Sequence, residues 1–230
     1  MTKKIIFDTG SIISLVTNNL LWILEPLKER FQGEFYITPA VKEELIAKPL
    51  RTKRFEFEAM QVFQYIKRGV IKVIDQNRIK QMADKLLFLA NHSFRSHGKW
   101  IKIVHEAEIE VLAADAVLDA SAVVIDERTV RMLLENSPKL TELMEKRIHS
   151  KVKPHKNNIK DFKKILEDVQ IRRSTEIVTI AYKLGLLDEY QIQEIEYPKK
   201  RLLDAALWAL KIRGCSISKK EIEEIIKLEA

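Results

Sequence analysis

The sequence is poor in cysteine and in long hydrophobic runs, and each shortage excludes a class of protein. Cys215 is the only cysteine among 230 residues, which excludes an internal disulfide and any zinc site built from several cysteines. Charged residues interrupt each hydrophobic run before it reaches about 18 residues, the length that a membrane-spanning helix needs. The N-terminal sequence MTKKIIFDTG lacks the long apolar core of a signal peptide. We therefore expect a cytoplasmic protein without a membrane partner.

Several phosphate-binding and catalytic motifs are also missing. No GxGxxG motif follows the first hydrophobic segment, and no glycine-rich loop carries Lys followed by Ser or Thr. Dinucleotide-binding and P-loop proteins are therefore unsupported. The segment IIFDTGS, residues 5–11, has no second aspartate two positions after Asp8, which argues against aspartyl-phosphate phosphatases. No local pattern suggests a Ser–His nucleophilic triad.

Positive charge is in moderate excess. The chain has 40 Lys and Arg residues against 33 Asp and Glu residues, a formal net charge of +7. Such an excess is compatible with a polyanionic partner such as RNA. With 46% hydrophobic residues the chain can also bury a sizeable core.

Short hydrophobic strands alternate with segments of helical periodicity. The strands are predicted at residues 4–7, 35–38, 70–74 and 122–125, with a last candidate at 169–172. The predicted helices run from residue 11, from Pro39, over 55–68, 78–90, 106–118, 129–136, 174–184 and 202–212, and from Ser218 with a capping box to Glu221. Unbroken apolar strands alternating with helices are typical of a parallel sheet covered on both faces. We predict an α/β fold, a three-layer α/β/α sandwich with a central parallel sheet.

A strongly basic stretch interrupts this alternation. Residues 139–173 contain 11 Lys and Arg residues against 5 Asp and Glu residues. We interpret residues 137–168 as a basic insertion, residues 1–136 as the α/β core, and residues 169–230 as a final strand and helices that complete and extend that core.

Acidic residues recur just beyond the predicted strands, where open parallel sheets bind ligands. Asp8 follows the first strand directly and Asp126 follows the strand at 122–125, while Glu44 lies one turn beyond the second strand and Glu106 opens a helix. Each has a structural alternative, as a helix cap or as a solvated helix charge. If they converge, their mutual repulsion would be relieved by Mg²⁺ or Mn²⁺. Such an ion can assist phosphodiester hydrolysis by activating water.

The segments that carry these acids together resemble the PIN-domain nucleases. They are, in order, IIFDTGSIISL, YITPAVKEELI, HEAEIEVLAADA and AVVIDERTVR. A looser match continues through STEIVTIAYKLGLLD and LLDAALWALKIRGCSIS, so the resemblance covers most of the chain except the basic insertion. It implies an α/β sandwich that cuts single-stranded or structured RNA with Mg²⁺ or Mn²⁺. It also implies that the catalytic, metal-binding acids are Asp8, Glu44, Glu106 and Asp126.

Two of these assignments leave a neighbouring residue open. Glu43 adjoins Glu44, and Glu108 lies two positions after Glu106. Two positions turn a helix by about 200°, so Glu106 and Glu108 cannot both face one metal ion. We prefer Glu106 because it then has the usual spacing to the family's stretch of small residues, here Ala113 and Ala114.

The chain departs from the family pattern in two places. His105 stands where many relatives have glycine before the third acid, as a surface residue or as a group that positions water. Val124 and Ile125 stand where many relatives have threonine or serine before the fourth acid, so Ser174 and Thr175 are candidates for the missing polar contact. These departures leave open a second interpretation, a PIN-like RNA-binding or scaffold domain with little catalysis.

Candidate substrate contacts surround the acids and the polar segment at 91–102. Thr9 and Ser11 carry hydroxyls beside Asp8, and the cations near the acids are Lys42, Arg128 and Arg131. Within 91–102, the residues Arg95, Lys99 and Lys102 interleave with Phe94 and Trp100, a combination that can grip phosphates and stack on an unpaired base. The alternative is an exposed loop whose aromatic residues pin it to the core.

The resemblance leaves the biological role open between an RNA-processing enzyme and a toxin held by a protein antitoxin. A homodimer is also possible, since the apolar segment SIISLVTNNLLWIL offers a contact face, but packing in the core explains that segment equally well.

Overall fold

A computed structural model describes residues 3–229. Its strands are β1 (Lys3–Phe7), β2 (Gly33–Ile37), β3 (Ile71–Val73), β4 (Phe94–Ser96), β5 (Lys99–Trp100), β6 (Ala122–Val124), β7 (Lys153–Pro154) and β8 (Ile171–Arg172). Five of them form a parallel sheet in the order β3-β2-β1-β6-β8. Ile6 and Phe7 point to opposite faces of β1 and both are fully buried. Both faces of the sheet are therefore covered, and the predicted α/β/α sandwich with a central parallel sheet is confirmed.

The helices are α1 (Thr9–Val16), α2 (Leu24–Phe31), α3 (Pro39–Lys42), α4 (Lys48–Thr52), α5 (Glu56–Lys67), α6 (Gln76–Asn91), α7 (Glu106–Leu118), α8 (Arg128–Glu135), α9 (Ser137–Ile148), α10 (Lys156–Ile165), α11 (Ser174–Lys183), α12 (Pro198–Ile212) and α13 (Lys219–Glu229). A π-helical segment, Glu43–Ala47, joins α3 to α4. Short 3₁₀ turns lie at Leu21–Ile23 and Asp188–Tyr190. Within residues 3–229, no helix combines the length and the apolar character that crossing a bilayer requires.

The strand order places a topological switch point between β1 and β6. From β1 the chain moves outward to β2 and β3, and later returns to the other side of β1 at β6. Phe7 is in register with Val124 across this pair. Because parallel sheets bind ligands beside the carboxyl ends of strands at such a point, the residues that follow Phe7 and Val124 occupy the favoured position.

The first helical segment is interrupted, contrary to expectation. α1 ends at Val16, and α2 begins only at Leu24, after Asn19 adopts a left-handed conformation. The Asp8 side chain caps α1, which is the structural alternative stated for this acid. The apolar residues expected to offer a dimer face are mostly in the core, including Ile12, Leu15 and Ile23 at 0% exposure. This segment therefore provides little free apolar surface for a homodimer.

Two other helix starts are confirmed at the residue level. Thr38 caps α3, and Pro39 occupies its first turn. At the start of α13, the Glu221 N–H donates to Ser218 Oγ at 3.1 Å and the Ser218 N–H donates to Glu221 Oε2 at 2.8 Å. Both motifs are local in sequence, which is why they are readable from it.

The basic segment at 137–168 folds as part of the body. It forms α9, β7 and α10, and it buries Phe162 completely in the same apolar cluster as the central sheet. Its short strand β7 pairs antiparallel with β4, which pairs in turn with β5. The stretch expected to be a polar connection at 91–102 is thus a hairpin in a second, three-stranded sheet.

Candidate functional site

A cavity of about 180 Å³ opens beside the carboxyl end of β1. Its lining consists of Asp8, Thr9, Gly10, Glu44, His105, Ala107, Glu108 and Glu127. Four of these residues are acids that come from four separate segments, and none is Lys or Arg. The cavity therefore concentrates negative charge without a lining cation.

Asp8 has both a structural and an electrostatic role in this cavity. Its Oδ1 accepts a hydrogen bond from the Ser11 N–H at 2.7 Å, which caps α1, while the Ser11 hydroxyl donates to the Asp8 carbonyl at 2.9 Å. The side chain is only 3% exposed. Burial, together with the nearby charges of Asp126 and Glu108, raises the pKa of the Asp8 carboxyl to about 7. The surroundings of Asp8 thus disfavour its ionised form.

Asp126 lies beneath the cavity and is fully engaged. Its Oδ1 accepts from the Ser174 N–H, and its Oδ2 accepts from the hydroxyls of Ser14 and Ser174, each at 2.7 Å. Ser174 therefore supplies the polar contact expected near the fourth acid. Thr175 does not, because its hydroxyl donates to Glu176 Oε2 at 3.0 Å. The contact from Ser14 was missed, since 112 residues separate it from Asp126.

Glu44, rather than Glu43, reaches the cavity. The hydroxyl of Thr9 donates to Glu44 Oε2 at 2.7 Å, which joins the end of β1 to the helical run after β2. Glu43 instead contacts Arg51 at the surface, with an N–O distance of 2.6 Å. The structure thus places Glu44, and not its neighbour Glu43, at the cavity.

The third acid of the cavity is Glu108, and the expectation that Glu106 joins the others is wrong. Glu106 is exposed and does not line the cavity, whereas Glu108 is half-buried and does. Glu108 Oε2 accepts from the His105 N–H at 2.9 Å. Burial raises the pKa of the Glu108 carboxyl, as do the charges of Glu127 and Glu44. The preference for Glu106 relied on the spacing that is usual in the family. Because Glu106 and Glu108 lie about 200° apart around the helix, only one of them can face the cavity, and in the structure it is Glu108.

Glu127 was not predicted as a site residue. It caps α8 by accepting from the N–H groups of Thr129 and Val130, the latter at 3.1 Å, and its side chain also borders the cavity. The available signal was its position directly after Asp126, at the end of a buried strand. A second acid there has the same access to the sheet edge as the first.

A further buried carboxylate, that of Glu110, connects two helical elements that border the cavity. Glu110 Oε2 accepts from the Ala40 N–H at 2.8 Å, so α7 binds the N-terminus of α3. A carboxylate is stabilised at a helix N-terminus. This contact fixes the helix of Glu108 against the helical run of Glu44.

The predicted cationic contacts do not line the cavity. Arg128 and Arg131 border a separate groove of about 680 Å³ together with Lys139 and Lys211. Arg131 is also committed to the fold, since its guanidinium donates to the Ser216 carbonyl at 3.0 Å. Lys42 is exposed outside the lining. Arg95, Lys99 and Trp100 lie on the three-stranded sheet.

The chemical type of the possible metal ligands in the cavity suits a hard divalent cation. The four acids supply carboxylate oxygens, beside the hydroxyl of Thr9 and the imidazole of His105, and Asp8 Oδ2 accepts no hydrogen bond from residues 3–229. Within the same residues, however, no three His, Cys, Asp or Glu side chains have the geometry to hold a metal ion together. Mg²⁺ is often bound through one or two carboxylates and keeps several waters. The site therefore fits such an ion only with water completing its coordination.

Comparison with family models, with curated proteins and with solved structures finds no match to this chain. The inference of function therefore rests on the carboxylate cavity and on the sequence pattern that leads to it.

Proposed function

We propose that the chain is a divalent-metal-dependent ribonuclease of the PIN-like type, which hydrolyses RNA phosphodiester bonds at the carboxylate cavity. One observation carries the proposal: Asp8, Glu44, Glu108 and Glu127 meet at one cavity without a lining Lys or Arg. Clustered carboxylates that raise one another's pKa values are stable as anions only if a cation joins them. Mg²⁺ or Mn²⁺ is the cation that oxygen ligands favour.

The residues divide into ligands and supports. Asp8, Glu44 and Glu108 each keep a carboxylate oxygen that accepts no hydrogen bond from residues 3–229, so these three are the candidate ligands. One or two of them would hold the ion directly, with water completing its coordination. When bound, the ion supplies an activated water and stabilises negative charge at phosphorus. Thr9 orients Glu44, the Ser11 N–H orients Asp8, and Asp126 anchors the underlying strand through Ser14 and Ser174.

The protonation of Asp8 links metal binding to pH. With its pKa near 7, the Asp8 carboxyl is protonated in about half of the metal-free molecules at neutral pH. A ligating carboxylate must lose that proton, so binding releases protons and strengthens as the pH rises.

The proposal places the enzyme in the cytoplasm, with Mg²⁺ or Mn²⁺ as its cofactor and RNA as its substrate. The single reduced cysteine and the positive net charge are compatible with this setting. This chemistry is compatible with an RNA-processing role and equally with a toxin role that includes a protein antitoxin.

The test is cleavage of an unstructured RNA labelled with a fluorophore and a quencher. We expect cleavage with Mn²⁺ or Mg²⁺, none with EDTA, and a loss of at least about 100-fold in Asp8→Asn, which removes a ligand charge. Asp75→Asn is the matched control, because Asp75 also caps a helix, through the Asn77 N–H, but lies exposed outside the cavity. Cleavage by Asp8→Asn at the wild-type rate would refute the proposed site.

A second candidate function is an RNA-binding or scaffold domain with little catalysis. It is favoured by the absence, within residues 3–229, of three side chains placed to hold one ion, and by the complete engagement of Asp126. Absence of cleavage by wild-type protein under all metal conditions, with RNA binding retained, would select this candidate over the enzyme.

A further inference from the structure

The three-stranded sheet presents a row of aromatic and cationic side chains on one face. Arg95 on β4 is opposite Trp100 on β5 and opposite Lys153 on β7. Residues directly opposite in antiparallel strands project to the same side of a sheet. Phe94 projects to the other side, where it is fully buried. The row Trp100–Arg95–Lys153 therefore faces solvent while the opposite face is anchored in the core.

The hairpin that carries this row is stiff. His97 and Gly98 both have positive φ values, 49° and 77°, as in the two-residue turns that match the twist of a β-hairpin. The Ile101 N–H donates to the Phe94 carbonyl at 2.9 Å. The exposed face is thus held in place before any partner arrives, which lowers the entropic cost of binding.

Three further rings, those of Phe88, His92 and His155, lie in series with Trp100 and form what we call the aromatic ladder. Phe88 stacks on His92 at a centroid distance of 4.2 Å, His92 contacts Trp100 edge-on at 5.3 Å, and Trp100 contacts His155 at 5.9 Å. The guanidinium of Arg95 lies 5.3 Å from the Trp100 ring centroid. Trp100 remains 41% exposed and Phe88 58% exposed. Aromatic surface therefore remains open to a flat ligand.

The two segments that carry His92, Trp100 and His155 of this ladder have charge of one sign. Residues 91–104 and 149–160 contain no Asp or Glu, and they carry Arg95, Lys99, Lys102, Lys151, Lys153, Lys156 and Lys160. All seven side chains are exposed, and none pairs with an acid of residues 3–229. The other 33 Lys and Arg residues equal the 33 Asp and Glu residues in number. These two segments thus account for the whole net charge of the chain.

A groove runs beside the ladder on the same sheet. It has a volume of about 520 Å³, and its lining includes Arg95, His97, Ser150, Lys151 and Lys153. Three of these residues are permanent cations and two others carry polar hydrogen-bonding groups. Such a groove suits a polyanionic backbone that runs past the stacked rings.

We infer that the exposed face of β4, β5 and β7 binds single-stranded nucleic acid, with bases stacked on Trp100 and Phe88 and phosphates on Arg95, Lys151 and Lys153, the cations of the groove. An acidic protein segment would match the charge but would gain nothing from aromatic faces, and a duplex would hide its bases from them. The combination of open rings and unpaired cations selects an unpaired strand.

The binding face lies close to the carboxylate cavity along the chain. Five residues lead from Trp100 to His105, which lines the cavity, so their Cα atoms are at most about 18 Å apart. If the proposed ribonuclease function holds, this face delivers the substrate strand to the cavity. The binding itself does not depend on that function, and it can be measured without catalysis.

The test is fluorescence anisotropy with a short labelled uridine-rich RNA in EDTA, which suppresses metal-dependent cleavage. Trp100→Ala should weaken binding roughly 5- to 150-fold, the effect of losing one base–aromatic stack, and Trp100→Phe should restore most of the affinity. Phe57→Ala is the matched control, because Phe57 is 71% exposed but lies between two acids on α5. A Trp100→Ala variant that binds as tightly as wild type would overturn the inference.

The cations are tested by salt dependence. The triple variant Arg95→Ala/Lys151→Ala/Lys153→Ala should lower the slope of log affinity against log salt concentration by about 2, since each phosphate contact on a single strand contributes about 0.7. Lys199→Ala/Lys200→Ala/Arg201→Ala removes the same charge from an exposed site on α12 and should leave the slope nearly unchanged. Equal effects of the two triple variants would show that only net charge matters and would refute a defined face.

Three further measurements distinguish between the possible ligands, and between the proposed binding face and the proposed ribonuclease function. Single-stranded DNA of the same sequence tells whether the ribose hydroxyl contributes. Competition by polyglutamate as effective as that by RNA, together with indifference to Trp100→Ala, would identify an acidic protein partner and overturn the inference. Tight, Trp100-dependent RNA binding by a protein that never cleaves would support this face and refute the ribonuclease, whereas Asp8-dependent cleavage with unaltered binding by Trp100→Ala would do the reverse.

Discussion

Ser174 donates two hydrogen bonds to Asp126, one from its N–H to Oδ1 and one from its hydroxyl to Oδ2, both at 2.7 Å. The pair joins the end of β6 to the start of α11, across 48 residues of sequence. The Ser14 hydroxyl adds a third contact from α1. Asp126 is thus a point at which three elements are held together beneath the cavity.

Removing hydroxyls around Asp126 should destabilise the protein non-additively. Ser14→Ala or Ser174→Ala alone should lower the free energy of unfolding by about 1–2 kcal/mol, because Asp126 Oδ2 keeps one donor. The double variant should lose more than the sum, since Oδ2 is then buried without a donor. Urea denaturation of all four proteins measures this coupling, and strict additivity would contradict it.

Asp8→Asn should stabilise the metal-free protein at high pH. The folded-state pKa of about 7 exceeds the ordinary value of 3.8. Ionisation of Asp8 therefore lowers the free energy of unfolding as the pH rises from about 4 to about 7, and the loss reaches about 4 kcal/mol above pH 7. Asparagine removes the charge and still caps α1. In EDTA, the Tm of Asp8→Asn should exceed that of wild type at pH 8 and approach it at pH 4. Asp75→Asn, an exposed cap, should show no such trend, and a lower Tm for Asp8→Asn at pH 8 would make Asp8 a purely structural residue.

Glu108→Gln should lower the rate of cleavage by at least about 10-fold, and Glu106→Gln should not. The two substitutions remove the same charge from the same helix, but only Glu108 lines the cavity. Loss of a ligating carboxylate costs at least about 10- to 100-fold in metal affinity or activity. Initial rates of RNA cleavage at saturating Mn²⁺ compare the two variants. A larger effect from Glu106→Gln would show that the helix turns its other face inward in the active form.

Mn²⁺ should raise the melting temperature of the wild-type protein. At about 100 times the dissociation constant, an ion that binds only the folded state stabilises it by about 2.7 kcal/mol. The increase should be smaller in Asp8→Asn and in Glu108→Gln, and unchanged in Asp75→Asn. Differential scanning fluorimetry with and without EDTA measures the shift, and an equal shift in all four proteins would place the ion elsewhere.

The fold and half of the cavity could be predicted because their signals are local. Apolar runs such as residues 4–7 indicate strands, and the rule that ligands gather at strand ends singles out Asp8 without any knowledge of its neighbours. Pro39 marks the start of the helical run that carries Glu44. Each of these inferences uses residues that lie a few positions apart.

The remaining features depend on contacts between distant segments. Whether Glu106 or Glu108 faces inward is set by the packing of α7 on α3, through Glu110 and Ala40, which are 70 residues apart. The partners of Asp126 are likewise remote. The strand β7 has only two residues and is recognisable only by its pairing with β4. Helical periodicity gives the spacing of side chains but leaves the rotation of the helix to its neighbours.

The π-helical segment Glu43–Ala47 makes the position of Glu44 sensitive to chain length. Each α-helical residue advances the chain by 100°, and a π turn accommodates one additional residue without disturbing the helices on either side. Deleting one residue here would let an ordinary α-helix form, but it would rotate the preceding turn against buried Leu45 and Ile46. In related chains, insertions and deletions in this segment should consequently be rarer than substitutions. A substitution leaves the orientation of the Glu44 side chain unchanged, whereas a change of length does not.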